Sequence, residues 1–269
     1  KLLTGNLEEQ CENFCTDTRK IQNGDVYVGL KGEKFNGNEY YKEALEKGAK
    51  VVVISGIKIA DEELKQYKDK TIIEVEDSLE AFGNIAAYKR EQYNIPVVQI
   101  TGSVGKTSTR DIVANVVRMQ YKTLQTEGNQ NSQVGLPLTL FRLEETHEAA
   151  VIEMGMSDFG EMSRLCSMAR PRYAVMTNIG ISHIQQLKTQ ENILQEKLHI
   201  TDSFDEDSIL FLNGEDPMLA ELREKLPHIR KVYFGTEPWC DYRAQEIETT
   251  DAGVRFRMTA NGVSVYVEL

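Results

Sequence analysis

Gly102-Ser103-Val104-Gly105-Lys106-Thr107-Ser108 gathers the residue types that hold a polyphosphate. Glycine lets the backbone approach phosphate oxygens, and a helix starting here would present unpaired N–H groups. Lys106 adds a point charge, and Thr107 a hydroxyl that suits a magnesium ion. Gly102 and Gly105 stand closer together than the glycines of the common phosphate-loop pattern, so a strict motif search would pass over them. The plain alternative is a glycine turn with a chance lysine. The flanking residues favour the phosphate loop, because an apolar strand-like run (95–100) precedes it and apolar residues at helical spacing (110–119) follow.

Three further residues need a chemical reason. Glu153 ends an otherwise apolar run (149–155), where a carboxylate suits a hard, oxygen-seeking cation such as Mg2+; otherwise it is a strand-end glutamate facing water. His183 follows the strand-like run 173–180. A histidine there is usually structural or solvated, but sharing a sheet edge with Glu153 leaves a functional role open. Lys197 lies one turn after Ile193 and Leu194, within the apolar stripe of a helix that Thr189 would cap. A buried lysine is costly unless paired or neutralised. Pattern alone favours a lysine at the stripe's edge with its head in water. The other reading is an amine that is modified or held against phosphates.

The elements that must position these residues alternate. Up to about residue 90 the sequence predicts a small α/β unit. Its strands are at 25–30, 50–55 and 71–75, with a helix over 40–48 and another that Asp77-Ser78 caps. From the phosphate loop onward, strands at 149–155, 173–180, 208–213 and 231–235 alternate with helices, which predicts a mostly parallel sheet covered on both faces. Ligands collect outside the carboxyl ends of such strands, where Lys106, Glu153, Asn178 and 213–216 would meet. The tail reads as a β-hairpin, 253–259 and 263–268 around Ala260-Asn261-Gly262. The expected division is residues 1–90 and 91–269.

The 269 residues carry a formal charge of −11, which argues against a nucleic-acid partner held by broad phosphate attraction. No apolar run is long enough for a transmembrane segment, and the N-terminus lacks a signal peptide's apolar core, so a cytoplasmic protein is expected. Lys1 in place of methionine points to processing or trimming. Cys11, Cys15, Cys166 and Cys240 show no paired metal spacing, although Cys11 and Cys15 would sit one turn apart on a helix; reduced thiols are the simpler reading.

The sequence 101–108 resembles the nucleotide loop of the Mur ligases, and further motifs follow in order. Asp17-Thr18-Arg19 with 23–28 and 31–37 resembles the uridine-binding domain of that family. The segment 126–139, with Asn129 and Asn131, resembles a substrate-side loop. Glu153-Met154-Gly155, Thr177-Asn178-Ile179-Gly180 with His183, and Glu196-Lys197-Leu198 complete the series. The nearest branch joins D-alanyl-D-alanine to UDP-N-acetylmuramoyl-tripeptide in cytoplasmic peptidoglycan synthesis. ATP phosphorylates the peptide carboxylate there, and the amine attacks the acyl phosphate.

By position, the resemblance implies that Gly102, Ser103, Val104, Gly105, Lys106, Thr107, Ser108 and Asn178 contact ATP. Thr107, Glu153, His183 and Lys197 would serve Mg2+, the last as a carbamate, with Lys106, Lys197 and His183 in catalytic roles. Asp17, Thr18 and Arg19 would seat the UDP end, and Asn129 and Asn131 would face the muramoyl peptide. The expected architecture is a small N-terminal α/β domain, a P-loop-type central domain with a terminal hairpin, and no C-terminal domain within this chain. A monomeric fragment, poorly active alone, is therefore expected.

Two departures stand out. Val104 replaces a frequent Asn but keeps its N–H, and Ser157-Asp158 stands where the branch commonly has Asn-His. Rival readings are the preceding ligase, which adds a diamino acid to the dipeptide, and a nucleotide-binding module without turnover. A folate polyglutamate ligase shares the loop but lacks the uridine-type domain.

Overall fold

The computed structural model describes residues 1–11, 13–251 and 253–268. The chain forms two compact units, one of residues 1–92 with 133–143 and the other of 93–132 with 144–269.

The first unit holds β1 (Leu2–Thr4), β2 (Phe14–Cys15), β3 (Val26–Val28), α1 (Tyr41–Glu46), β4 (Val51–Ser55), α2 (Asp61–Leu64), β5 (Thr71–Val75) and α3 (Ser78–Glu91). Its sheet runs in the order β1-β5-β4-β3-β2, parallel except at the β1 edge. β4 is Val-Val-Val-Ile-Ser with its four apolar residues buried, as expected of a central parallel strand covered on both faces. Tyr27, Tyr41, Leu45, Val52, Ile54 and Ile72 pack one face, and Val26, Val28, Val51, Val53 and Phe82 the other. Asp77 caps α3, its Oδ1 accepting the N–H groups of Leu79 (2.7 Å) and Glu80 (3.0 Å). Cys15 lies in β2, so the helical-turn spacing with Cys11 is not realised.

The second unit begins with β6 (Val97–Thr101), α4 (Lys106–Arg118) and β7 (Thr123–Gln125). The chain then leaves it for α5 (Gly135–Phe141), which belongs to the first unit. There Phe141 stacks on Phe14 with centroids 4.0 Å apart and lies 5.4 Å from Phe82. The span 91–269, expected as one domain, is thus interrupted by an aromatic anchor.

The second unit resumes with β8 (Ala149–Glu153), α6 (Glu161–Ala169), β9 (Tyr173–Met176), α7 (Ile184–Leu187), α8 (Gln190–Leu198), β10 (Ile209–Asn213), α9 (Pro217–Ala220) and β11 (Arg230–Gly235). It closes with β12 (Tyr242–Thr250), β13 (Gly253–Ala260) and β14 (Val263–Glu268). The sheet order is β14-β13-β12-β11-β10-β9-β6-β8-β7, parallel from β7 to β12 and antiparallel beyond. The expected hairpin is formed by β13 and β14, and β12, unread in the sequence, extends it to a three-stranded meander. β12, Tyr-Arg-Ala-Gln-Glu-Ile-Glu-Thr-Thr, is too polar and exposed to announce itself by alternation.

The path steps from β6 to β7 on one side, then from β8 across to β9 on the other. β6 thus lies at a topological switch point, where α/β sheets place ligands. Crossovers of one hand that run in opposite directions put their helices on opposite faces. α4 accordingly packs with Ile100, Val151 and Val175, while Gln99 and Thr101, alternating with Ile100 along β6, lie on the opposite face.

Candidate active site at the phosphate loop

β6 ends at Thr101, and the loop turns through Gly102 (φ +147°) and Gly105 (φ +80°) into α4. An added Cβ at Gly102 would lie 1.9 Å from Thr177 Oγ1, so the second glycine-specific demand here is close approach. The loop is clasped by the segment after β9. Asn178 O accepts the Ser103 N–H (3.0 Å), Ser103 Oγ accepts the Gly180 N–H (2.8 Å), and Thr177 Oγ1 donates to Val104 O (2.6 Å). Asn178 brackets the Val104 residue, its Oδ1 accepting the N–H and its Nδ2 donating to the carbonyl, both at 3.0 Å.

Asn178, expected beside the nucleotide, here spends its carboxamide on the Val104 backbone, and the Val104 N–H is engaged by it. The first intrahelical bond runs from Thr109 N–H to Gly105 O (3.0 Å), so the N–H groups of Gly105, Lys106, Thr107 and Ser108 have no acceptor within α4. With the helix dipole behind them, they are donors of the kind that suits an anion.

Two lysines converge on one carbonyl. Gly102 O accepts from Lys106 Nζ (3.0 Å) and from Lys197 Nζ (3.2 Å). Lys197 is only 2% exposed, which overturns the pattern-based reading with its head in water. Thr189 caps α8 as expected, its Oγ1 accepting the Asn192 N–H at 3.2 Å. Burial, then the charge of Lys106, lowers the Lys197 amine from 10.5 to about 8.

Glu153 and Thr107 also meet. Thr107 Oγ1 donates to Glu153 Oε2 at 2.9 Å, and Asn131 Nδ2 donates to Oε1 at 2.7 Å. The carboxylate is 2% exposed, so it does not face water. Sequence reasoning missed Arg110, whose Nη1 lies 3.4 Å from Glu153 Oε2 and 3.1 Å from Gly128 O. Its Nε and Nη2 grip Asp111 Oδ1 at 3.0 and 2.7 Å. An Arg on a helix full of polar residues gave no local signal of burial.

The remaining predicted residues are placed differently. His183 is exposed, at φ +63° before α7. Among the described residues, no group of three or more His, Cys, Asp or Glu is arranged to hold a metal ion, so His183 is not assembled with Glu153 into such a cluster. Asn129 is exposed, and its carbonyl accepts the Asn131 N–H at 2.8 Å. Asn213 supports the clasp, its Nδ2 donating to Thr177 O (2.9 Å), while Asp216 Oδ2 accepts the Ile179 N–H (2.7 Å).

In the first unit, Asp17, Thr18 and Arg19 line a cavity of about 480 Å3 together with Tyr27, Phe35, Tyr40 and Glu43. Asp17 grips the Arg19 guanidinium through two bonds of 2.8 Å, and that pairing holds the carboxyl down at about 2. Thr18 Oγ1 donates to Glu43 at 3.0 Å. Phe35 and Tyr40, exposed aromatics lining the cavity, were not singled out as site residues, although Phe35 lies within the 31–37 motif.

The chain as a whole finds counterparts in known proteins. Residues 100–269 match the Mur ligase middle domain and residues 12–90 the Mur ligase family catalytic domain. The chain belongs to the Mur ligase family. It is 35% identical, over 90% of its length and 51% of the relative's, to UDP-N-acetylmuramoyl-tripeptide--D-alanyl-D-alanine ligase of Bacillus subtilis (strain 168). Its fold superposes on MurF from Acinetobacter baumannii with a TM-score of 0.86 at 28% identity, covering 96% of this chain and 55% of that one. MurF from Thermotoga maritima in complex with ADP gives 0.83 at 28% identity, covering 95% and 57%. The chain spans about half the length of the curated relatives it matches.

Proposed function

We propose that this chain supplies the nucleotide- and UDP-substrate-binding parts of an ATP-dependent ligase. That ligase joins D-alanyl-D-alanine to UDP-N-acetylmuramoyl-tripeptide in cytoplasmic peptidoglycan precursor synthesis. The observation that carries the reading is the pairing of a clasped phosphate loop with relatives bearing that ligase's name. The peptide carboxylate attacks the γ-phosphate, ADP leaves, and the D-alanyl-D-alanine amine displaces phosphate from the acyl phosphate. Phosphorylation is needed because a carboxylate oxygen is a poor leaving group.

The chain's residues serve those steps through position and charge. The N–H groups from Gly105 to Ser108 cradle phosphate oxygens. Lys106 Nζ, folded back on Gly102 O, swings to the β- and γ-phosphates and offsets charge during transfer. The hydroxyl of Thr107 and the buried carboxylate of Glu153, 2.9 Å apart, form an oxygen donor pair that suits Mg2+. When bound, the ion neutralises phosphate charge.

Lys197, with its amine lowered to about 8, supplies the neutral form that reacts with CO2. A carbamate there would turn two cations sharing one carbonyl into an attractive pair. His183, exposed at the same sheet edge, is assigned to a second ion or to substrate. The cavity at Asp17, Thr18 and Arg19 takes the UDP end, with Phe35 and Tyr40 offering faces to the uracil and Arg19 leaving Asp17 for the diphosphate. Asn129 and Asn131 face the muramoyl peptide, and the protein acts as a monomer.

The test supplies ATP and Mg2+ to the full-length protein that carries this chain, with UDP-N-acetylmuramoyl-tripeptide or its dipeptide precursor. Each is paired with D-alanyl-D-alanine or a diamino acid, and product mass is read. Joining of D-alanyl-D-alanine to the tripeptide, abolished by Lys106→Ala, is expected. A diamino acid joined to the dipeptide moves the assignment one step earlier, and nucleotide binding without product leaves a module without turnover.

A further inference from the structure

Arg110 has no role in the reading above, yet it is the most heavily engaged charged side chain beside the phosphate loop. Its side chain is 7% exposed, and its guanidinium makes four hydrogen bonds to three targets of different kinds. Nε and Nη2 fork onto Asp111 Oδ1, which also accepts from Gln125 Nε2. Nη1 serves both Gly128 O (3.1 Å) and Glu153 Oε2 (3.4 Å). The segment 125–131 meets Glu153 at two further points, since Asn131 Nδ2 donates to the carboxylate Oε1 and Thr126 Oγ1 accepts the Glu153 backbone N–H at 3.0 Å. A buried carboxylate needs positive charge or donors on both oxygens, and here a guanidinium and a loop amide supply them.

We propose that Arg110 is a positioning residue that stands in for the cation at Glu153 and ties that carboxylate to the 125–131 loop. A divalent ion arriving between Thr107 and Glu153 takes over the charge that Arg110 supplies, so the Arg110–Glu153 contact, already long at 3.4 Å, must give way. The nitrogen that lets go is the one that holds Gly128 O. Cation binding is therefore felt by the loop, and loop position in turn sets how readily Glu153 accepts a cation. The inference rests on the reading of Thr107 and Glu153 as a cation site.

The experiment measures ADP affinity by calorimetry at stepped MgCl2 concentrations for this chain, Arg110→Met and Arg110→Lys. Met keeps the stem and removes the charge. Lys keeps the charge but cannot hold Glu153, Gly128 O and Asp111 together. The expected result is that Arg110→Met lowers the Mg2+ concentration for half-maximal ADP affinity by about tenfold, the equivalent of one charge-assisted hydrogen bond. Arg110→Lys should stay within about threefold of the parent chain. A purely structural role would lower stability without moving that midpoint.

Hydrogen exchange on the parent chain is independent of how the variants fold. Amides at 128–131 should exchange faster with ADP and MgCl2 than with ADP and EDTA. An unchanged Mg2+ midpoint in folded Arg110→Met, or unchanged exchange at 128–131, overturns the proposal and leaves the cation site standing. ADP binding by the parent chain that ignores Mg2+ overturns both.

Discussion

Lys197 offers the sharpest test, because its cost can be worked from the structure. The amine is 2% exposed and is lowered from 10.5 to about 8 by burial, and then by Lys106. At ~1.4 kcal/mol per pH unit, that difference makes the protonated amine cost the folded state about 3 kcal/mol. Below pH 8 both folded and unfolded chains carry the proton, so the full cost is present and independent of pH. Between about 8 and 10.5 the unfolded chain keeps the proton and the folded chain does not. Unfolding then takes up a proton, and stability rises with pH across that window through this group.

Lys197→Met keeps the stem and removes the charge, and Gly102 O retains Lys106 as a donor. The variant should be more stable than the parent at pH 7 by about 2–3 kcal/mol, with the advantage shrinking toward zero by pH 10. Urea titrations in CO2-free buffer at pH 7, 8.5 and 10 measure this, each read as parent minus variant so that other titrating groups cancel. A parent-minus-variant difference that stays constant with pH, or a variant less stable at pH 7, would refute the account of Lys197 as an uncompensated buried cation. Adding bicarbonate at pH 8.5 should stabilise the parent and leave the variant unmoved, since only the parent has an amine to react.

Three further changes probe the loop and its support. Gly102→Ala would drive a Cβ to 1.9 Å from Thr177 Oγ1 at φ +147°, so a loss of about 3 kcal/mol and of ADP binding is expected by urea titration and calorimetry. Asn178→Ala removes both bonds that bracket Val104; ADP affinity should fall about tenfold while the urea midpoint shifts by about 1 kcal/mol or less. Gln99, fully buried in β6 with neither amide atom bonded, should tolerate Met with a gain of about 1 kcal/mol; a loss would mean that ordered water satisfies it.

What the sequence disclosed follows from whether the cause was local. Thr101 to Ser108 were legible because strand, glycine turn and helix are neighbours in the chain, and so were the caps at Asp77 and Thr189. Arg110 was not, because its burial comes from the 125–131 loop folding over α4, and nothing on α4 itself records that. Lys197 reads as a stripe-edge residue until Gly102 O, ninety-five positions away, is brought to its amine. α5 joins the first unit through ring contacts with Phe14 and Phe82, partners remote in sequence, so the domain division could not be drawn from composition. β12 lacked the period-2 apolar alternation on which strand recognition depends.

Glu196 and Lys197 show why adjacency in sequence misleads about charge. Two buried, oppositely charged neighbours invite the reading of a salt bridge, yet Glu196 is committed elsewhere. Its oxygens accept the N–H groups of Gly160 (3.0 Å) and Met162 (2.9 Å) at the start of α6, where the helix dipole already favours an anion. Successive helix residues point about a quarter-turn apart, so one faces α6 while the other reaches the phosphate loop. Glu196 raises the Lys197 amine less than burial and Lys106 lower it, and the net direction is down. The carboxylate thus fixes α8 against α6 and aims Lys197 at Gly102 without neutralising it. Had the two formed an ion pair, the carboxylate would have raised the amine instead, and the neutral fraction that can react with CO2 near neutral pH would be far smaller.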